Sequence, residues 1–146
     1  MRILGLDLGD KTIGVAVSDP SGLIAQGIGV IARAGEEQDL GKIKEIADHY
    51  AVRLIVIGLP WNMSGTLGEQ GKKVLAFAKK LEKDTGLPVQ TWDERLTTVA
   101  AEKALLSADL TRARRKKVID KVAAALILQN FLDARRNNLA GNKLKE

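Results

Sequence analysis

A mixed α/β fold, one five-stranded sheet with helices on its faces, is what the 146-residue sequence predicts. Two observations carry this. The chain opens with three apolar segments of strand length joined by tight turns, the pattern of an antiparallel meander. It then alternates helical-period stretches with short apolar runs, and such strand–helix–strand units pair their strands in parallel through right-handed crossovers. A meander joined to parallel units gives a mixed sheet in the element order βββαβαβαα.

Arg2 to Asp7 is a short apolar run, read as a buried strand. Gly9-Asp10-Lys11-Thr12 is a turn. Ile13 to Ser18 resumes as strand, with Ile13, Val15 and Val17 on one face and the small Gly14 and Ala16 on the other. Asp19-Pro20-Ser21-Gly22 turns the chain again, and Ile24 to Ile31 is the third strand. Asp39 to Tyr50 has helical spacing at Leu40, Ile43, Ile46 and Ala47. Arg53 to Gly58 is a buried strand around Leu54-Ile55-Val56-Ile57. Thr66 to Asp84 is a helix striped by Val74, Phe77, Ala78 and Leu81, and Gly86-Leu87-Pro88 stops it. Val89 to Trp92 is the fifth strand. Thr97 or Thr98 caps a helix running to about Ser107, and Arg115 to Arg136 forms a long last helix. The domain is therefore read as 1–136, with 137–146 a polar, flexible tail.

Hydrophobic residues at 45% and charged residues at 28% suit one domain with a core of its own. The absence of cysteine removes disulfides, thiolate zinc sites and cysteine nucleophiles together. The first residues carry Asp7, Asp10 and Lys11, too charged for a signal peptide, and no apolar run reaches membrane-span length. A cytoplasmic protein is expected. The net charge of +5 favours a polyanionic partner only weakly, but its distribution says more. Arg112, Arg114, Arg115, Lys116, Lys117 and Lys121 crowd around the single acid Asp120. At 3% aromatic content the chain is not a single-strand binder built on stacking platforms, so phosphate and shape should dominate recognition of nucleic acid.

Three carboxylates stand in unusual places. Asp7 shares a strand face with Ile3 and Gly5, so an acid follows two buried positions. Glu94 lies just past the fifth strand, and sites in parallel sheets form at the carboxyl ends of strands. Asp120 falls on the same helical stripe as Ala123, Ala124, Ile127, Leu128 and Phe131, and therefore faces the sheet. A buried carboxylate requires a cation or several donors. Plainer readings exist: a turn residue for Asp7, a surface ion pair with Arg95 for Glu94, and a helix-start carboxylate held by Lys116 for Asp120. Convergence of all three on one sheet edge suits a hard divalent cation with oxygen ligands.

Four segments together resemble the YqgF/RuvX family, a Holliday junction resolvase-like group. They are Gly5 to Ala16, Gly58-Leu59-Pro60 with Asn62-Met63-Ser64-Gly65, Asp93 to Thr98, and Lys117 to Ala124. The resemblance implies a ribonuclease H-like fold, with acidic site residues falling here on Asp7, Glu94 and Asp120. It also implies nuclease activity in maturing the 5′ end of the small-subunit ribosomal RNA precursor, with junction-resolving activity proposed for some members. Members often carry Lys-Arg where this chain has Lys11-Thr12, which removes one cation from the hairpin.

The expected chemistry is metal-dependent phosphodiester hydrolysis, with Asp7, Glu94 and Asp120 holding one or two Mg²⁺ or Mn²⁺ ions and Asp7 shared between them. Lys11, Arg95, Arg112, Arg114, Arg115, Lys116 and Lys117 are the expected contacts to RNA precursor or branched DNA, with Arg95 alternatively orienting Glu94. Trp61 either stacks on an exposed base or packs in the core or a dimer contact, Trp92 belongs to the core, and His49 has no catalytic role. The protein is expected as monomer or homodimer. Two rivals share features. Sugar kinases and actin-type ATPases also open with a strand–Asp-x-Gly–strand hairpin, but they need two lobes, and no second such hairpin or Walker pattern occurs. A binding module without catalysis would not need all three carboxylates.

Overall fold

The opening segments become β1 (Arg2–Leu8), β2 (Thr12–Ser18) and β3 (Ala25–Ala32) in the computed structural model of the chain. They are followed by α1 (Glu36–His49), β4 (Val52–Leu59), α2 (Glu69–Thr85), β5 (Val89–Asp93), a single 3₁₀ turn (Glu94–Leu96) and a long helix, α3 (Arg112–Lys145). The structure describes residues 1–96 and 112–145; for Leu96, 112–120 and 139–145 it describes the backbone alone. The helix expected from Thr97 or Thr98 to about Ser107 lies outside the described residues.

The five strands form one sheet in the order β3-β2-β1-β4-β5. β1 pairs antiparallel with β2, and β2 with β3, while β1–β4 and β4–β5 are parallel. This is the mixed sheet that the pattern predicts, with the meander on one side and the crossover units on the other. Helix boundaries moved more than strands. α1 begins a turn earlier than its apolar stripe, because Glu36, Glu37 and Asp39 favour the positive end of the helix dipole. α2 starts at Glu69 and stops at Gly86, whose φ of 72° is a left-handed cap closed by Gly86 N–H donating to Glu82 O. α3 runs on through Lys145 rather than ending at Arg136.

Two apolar layers cover the sheet. On one face Leu4, Leu6, Val15, Ile55 and Ile57 meet Ile43 of α1 and Val74, Phe77 and Leu81 of α2. On the other, Ile3, Ala16, Leu54 and Val56 meet Ala123, Ala124, Ile127 and Leu128 of α3. Full burial of each Ile or Leu side chain contributes about 1.5–3 kcal/mol, so the single helix α3 is anchored strongly on its face. Among the described residues no helix is long and apolar enough to cross a membrane.

One charged pair in the fold was not foreseen. Asp39 is fully buried. Its carboxylate accepts from Arg33 Nε at 3.1 Å and from the Ala34 backbone N–H at 3.0 Å. Arg33 also donates through Nη1 to Gly9 O at 3.0 Å and lies over the Phe77 ring, so it ties the β1–β2 turn to the start of α1. Leaving a buried acceptor short of a partner costs about 1–3 kcal/mol. Arg33→Met should therefore lower stability by about 2 kcal/mol, read as a shift in urea midpoint; a midpoint equal to wild type would count against this tie.

The turn after β2 is held by another carboxylate. Asp19 accepts from the Ser21 hydroxyl and from the backbone N–H groups of Ser21, Leu23 and Ile24. These donors, the Ser21 hydroxyl first, hold its pKa well below the ordinary carboxylate range. A depressed carboxylate contributes order that is complete above its unfolded pKa and lost as pH falls through the folded one. The Leu23 and Ile24 amide signals should therefore hold steady from neutral pH down through about 4 and move only in stronger acid. Movement centred near pH 4 would show that the bonds do not form in solution.

Candidate functional site

Strand register places the first carboxylate. Alternation along β1 puts Ile3, Gly5 and Asp7 on one face, the face covered by α3. Asp7 is only 6% exposed, an acid almost out of water at the carboxyl end of the central strand. Since Leu6 pairs with Ile57 in parallel, the next step sets Asp7 beside Gly58 of β4, and Gly58 in turn pairs with Trp92 of β5. Neighbouring strands lie about 4.8 Å apart.

Glu94 enters this row from above Gly58. A Cβ built on Gly58 would stand 2.7 Å from Glu94 Oε1 and 2.6 Å from Ile127 Cδ1. The Glu94 carboxylate therefore occupies the space that a side chain at 58 would fill, one strand away from Asp7 and on the same face. Glycine at this position is required by close approach of another group rather than by backbone angle. Of the three carboxylates singled out in the sequence, the structure sets Glu94 against Gly58, beside the strand end and on the face that carry Asp7. Both also take part in further polar interactions.

α3 approaches from the same side. A Cβ on Gly5 would stand 2.7 Å from Leu128 Cβ, and one on Gly27 2.8 Å from Lys121 Cγ. Farther along, Gln129 bonds the Ala25 N–H and Leu23 O, and Leu132 and Arg135 line a hollow with Met1. The helix therefore runs antiparallel to β1, with its earlier turns toward the end that bears Asp7. Asp120 stands one turn before Ala123 and Ala124 on this helix, and both alanines are buried on the sheet. Its side chain, with those of Arg112, Arg114, Arg115, Lys116 and Lys117, lies outside the described residues. Among the described residues no group of three or more metal-binding side chains occurs.

Arg95 differs from expectation. Among the described residues, the ion pair that Arg95 makes is with Asp93. Nη2 is 2.8 Å from Asp93 Oδ2, and Nε bridges both oxygens at 3.1 and 3.2 Å. The physical reason is local: Asp93 ends β5 and its Oδ1 accepts the Arg95 backbone N–H at 2.9 Å, which brings the two side chains together. The guanidinium holds the Asp93 carboxyl below its usual range. Asp93 was not singled out from sequence, although an acid two places before an arginine at a strand end is the signal that could have found it.

The rest of the rim is braced by its own polar contacts. Trp61 is half-buried against the apolar layer, with Arg95 Cζ 5.5 Å from its ring centroid, so packing rather than free exposure describes it. Trp92 packs on the α3 side, edge-on to Phe131. Gln70 of α2 donates to Leu8 O at 3.3 Å, supporting the end of β1. Lys11 is exposed at the hairpin tip. His49 is exposed near the end of α1, against Tyr50 and away from this rim.

Asp7 and Glu94 supply hard oxygen donors on one face, a set suited to Mg²⁺ or Mn²⁺ and not to soft metals. A family model described as "RuvX: Holliday junction resolvase" matches residues 1–134. A Clostridium kluyveri protein named "Putative pre-16S rRNA nuclease" is 61% identical over 133 residues, covering 91% of this chain and 97% of its own. A Desulforamulus reducens protein of the same name is 58% identical over 134 residues, covering 92% and 98%. Among solved structures, Thermus thermophilus RuvC in complex with a Holliday junction substrate aligns with a TM-score of 0.58 at 16% identity, covering 94% of this chain and 96% of that one. The fowlpox virus Holliday junction resolvase aligns at 0.51 with 13% identity, covering 92% and 99%. These likenesses establish the fold as the ribonuclease H-like one.

Proposed function

The chain belongs to the RuvX family, and from that premise we propose that it is a divalent-metal-dependent endonuclease that matures the 5′ end of the 16S ribosomal RNA precursor. The observation that carries this is the pair of carboxylates, Asp7 buried at the end of β1 and Glu94 seated over Gly58 on the same face. Names of relatives alone would not distinguish an active enzyme from a binding module; two carboxylates on one face at adjoining strand ends suit a hard divalent cation.

Asp7, Glu94 and Asp120 are the residues that would hold the metal. When bound, Mg²⁺ or Mn²⁺ supplies activation of water and neutralisation of charge at the phosphate. The chain's own residues do the rest. α3 and the apolar layer beneath it fix the carboxylates and limit water on that face. Lys11 and the cluster Arg112, Arg114, Arg115, Lys116 and Lys117 would grip phosphates along the substrate. Aromatic stacking contributes little, because Trp61 and Trp92 are both taken up by packing.

The deciding experiment is cleavage of the RNA precursor and of a four-way DNA junction side by side, with metal and with chelator. Metal-dependent cutting of the RNA supports the reading. Preference for the junction would turn it toward a resolvase, and binding without cutting would leave an assembly factor. Neutralising three of the clustered cations should flatten the slope of log affinity against log salt by about 2–3 on duplex substrate. An unchanged slope would remove the cluster from the interface.

A further inference from the structure

Arg95 is exposed on this rim, and among the described residues its bonds run to Asp93 and to the loop 60–67. We infer that Arg95 is a positioning residue that couples the loop Pro60–Leu67 to Glu94, and that it does not serve as a phosphate contact. The inference rests on the nuclease reading for its consequence, and on geometry for its content.

The guanidinium has five N–H groups, and its carboxylate-matching edge is already occupied. Nε and Nη2 fork onto Asp93, and Nη1 donates to Asn62 O at 3.3 Å. Asp93 neutralises its charge at close range. The cation also covers the Trp61 ring and lies 3.9 Å from where a Cβ on Gly65 would be. The loop that it touches is a closed unit. Asn62 N–H bonds Thr66 O at 2.9 Å, Gly65 N–H bonds Asn62 O at 2.9 Å, and Trp61 bridges to Leu67. Asn62 O therefore accepts from Gly65 within the loop and from Arg95 outside it.

The consequence falls on Glu94. Its neighbours on both sides are joined to each other by a fork and by a backbone bond, so the peptide that carries Glu94 has little freedom. Its carboxylate has been set over Gly58, and a shift of about 1 Å at a catalytic group is enough to cost roughly a hundredfold in rate. Through Arg95, displacement of the loop would become displacement of Glu94. Lysine cannot replace this function, since an ammonium offers one point charge where a planar fork is needed.

The test compares Arg95→Gln, Arg95→Lys and Asp93→Asn in full-length protein. A tether predicts that all three lower kcat at least tenfold with KM within about twofold. It predicts that the salt slope of binding stays at the wild-type value, and that Asp93→Asn combined with Arg95→Gln is no worse than either alone. A phosphate contact predicts the opposite: Arg95→Lys near wild type, Arg95→Gln with raised KM and a slope lower by about 0.9, and no effect of Asp93→Asn. Either wild-type kcat in Arg95→Lys or that loss of slope in Arg95→Gln overturns the tether. If the wild-type protein does not cleave, the nuclease reading fails, and the tether is judged separately by Trp61 emission in a Trp92→Phe background. A shift in all three variants sustains it, and emission equal to wild type overturns it.

Discussion

Asp7→Asn is expected to reduce metal-dependent cleavage by about 10³-fold or more while leaving the fold intact. Asparagine keeps the volume and one of the two oxygens, so the packing of β1 beneath α3 is retained. What is lost is the negative charge at the buried end of the strand, where Asp7 is 6% exposed. Metal catalysis stabilises the transition state by several kcal/mol, and each 1.4 kcal/mol is tenfold in rate, so loss of about 4 kcal/mol gives the stated factor. A second signature follows from linkage. A ligand that binds only the folded state raises the unfolding temperature. The rise that Mn²⁺ or Mg²⁺ produces in the wild type should therefore disappear in the variant, while the metal-free unfolding temperature changes little. Cleavage at the wild-type rate by Asp7→Asn would end the metal-site reading. Loss of cleavage with a collapsed melting transition would assign Asp7 to the fold instead.

Gly58→Val is expected to damage stability and activity together. A Cβ alone would stand 2.6 Å from Ile127 Cδ1 and 2.7 Å from Glu94 Oε1, and valine adds two methyl groups beyond it. Ile127 is fully buried and sits on the face of α3 that anchors the helix, so it has little room to retreat. Overpacking of this kind costs about 1–3 kcal/mol and occasionally more. The helix or the carboxylate must give way. If α3 lifts, the urea midpoint falls by about 3 kcal/mol equivalent. If Glu94 moves, kcat falls at least tenfold even in protein that is fully folded. Gly58→Ala should show the same directions with smaller amplitude. A valine variant with wild-type midpoint and wild-type kcat would mean that Glu94 does not rest on Gly58 in solution.

How much was legible beforehand differs between fold and site. β1, β2 and β4 were readable because a buried strand announces itself in closely spaced apolar residues, β3 and β5 because a turn signal precedes each, and the stripe Val74, Phe77, Ala78 and Leu81 reads equally well as the buried face of α2. The start of α1 was misplaced by a turn, because Glu36 and Glu37 contribute through the helix dipole and leave no apolar mark. Asp7 was legible as an acid closing a buried strand, and Glu94 as an acid just beyond another. Asp39 was invisible as a buried charge, since its partner Arg33 lies outside the helix, in the connection after β3, and the helix stripe offers no sign of it. Arg95 was readable as a cation near the site, but its commitment to Asp93 and Asn62 was not.

Within the described residues, the sequence by itself determined which segments are strands and helices, the mixed character of the sheet and the face on which α3 packs, and it pointed to the family. These depend on burial periodicity and on short motifs, both of which are written in residues close together along the chain. Only the tertiary structure decided that Glu94 fills the place left by Gly58, that Asp7 stands one strand away on the same face, and that Arg95 reaches Asn62 and Trp61 of the loop 60–67. Those outcomes depend on which groups from distant segments come within a few ångströms of each other. Side-chain hydrogen bonds and close packing act over that range alone, so their partners are chosen by the assembled sheet and not by neighbours in sequence.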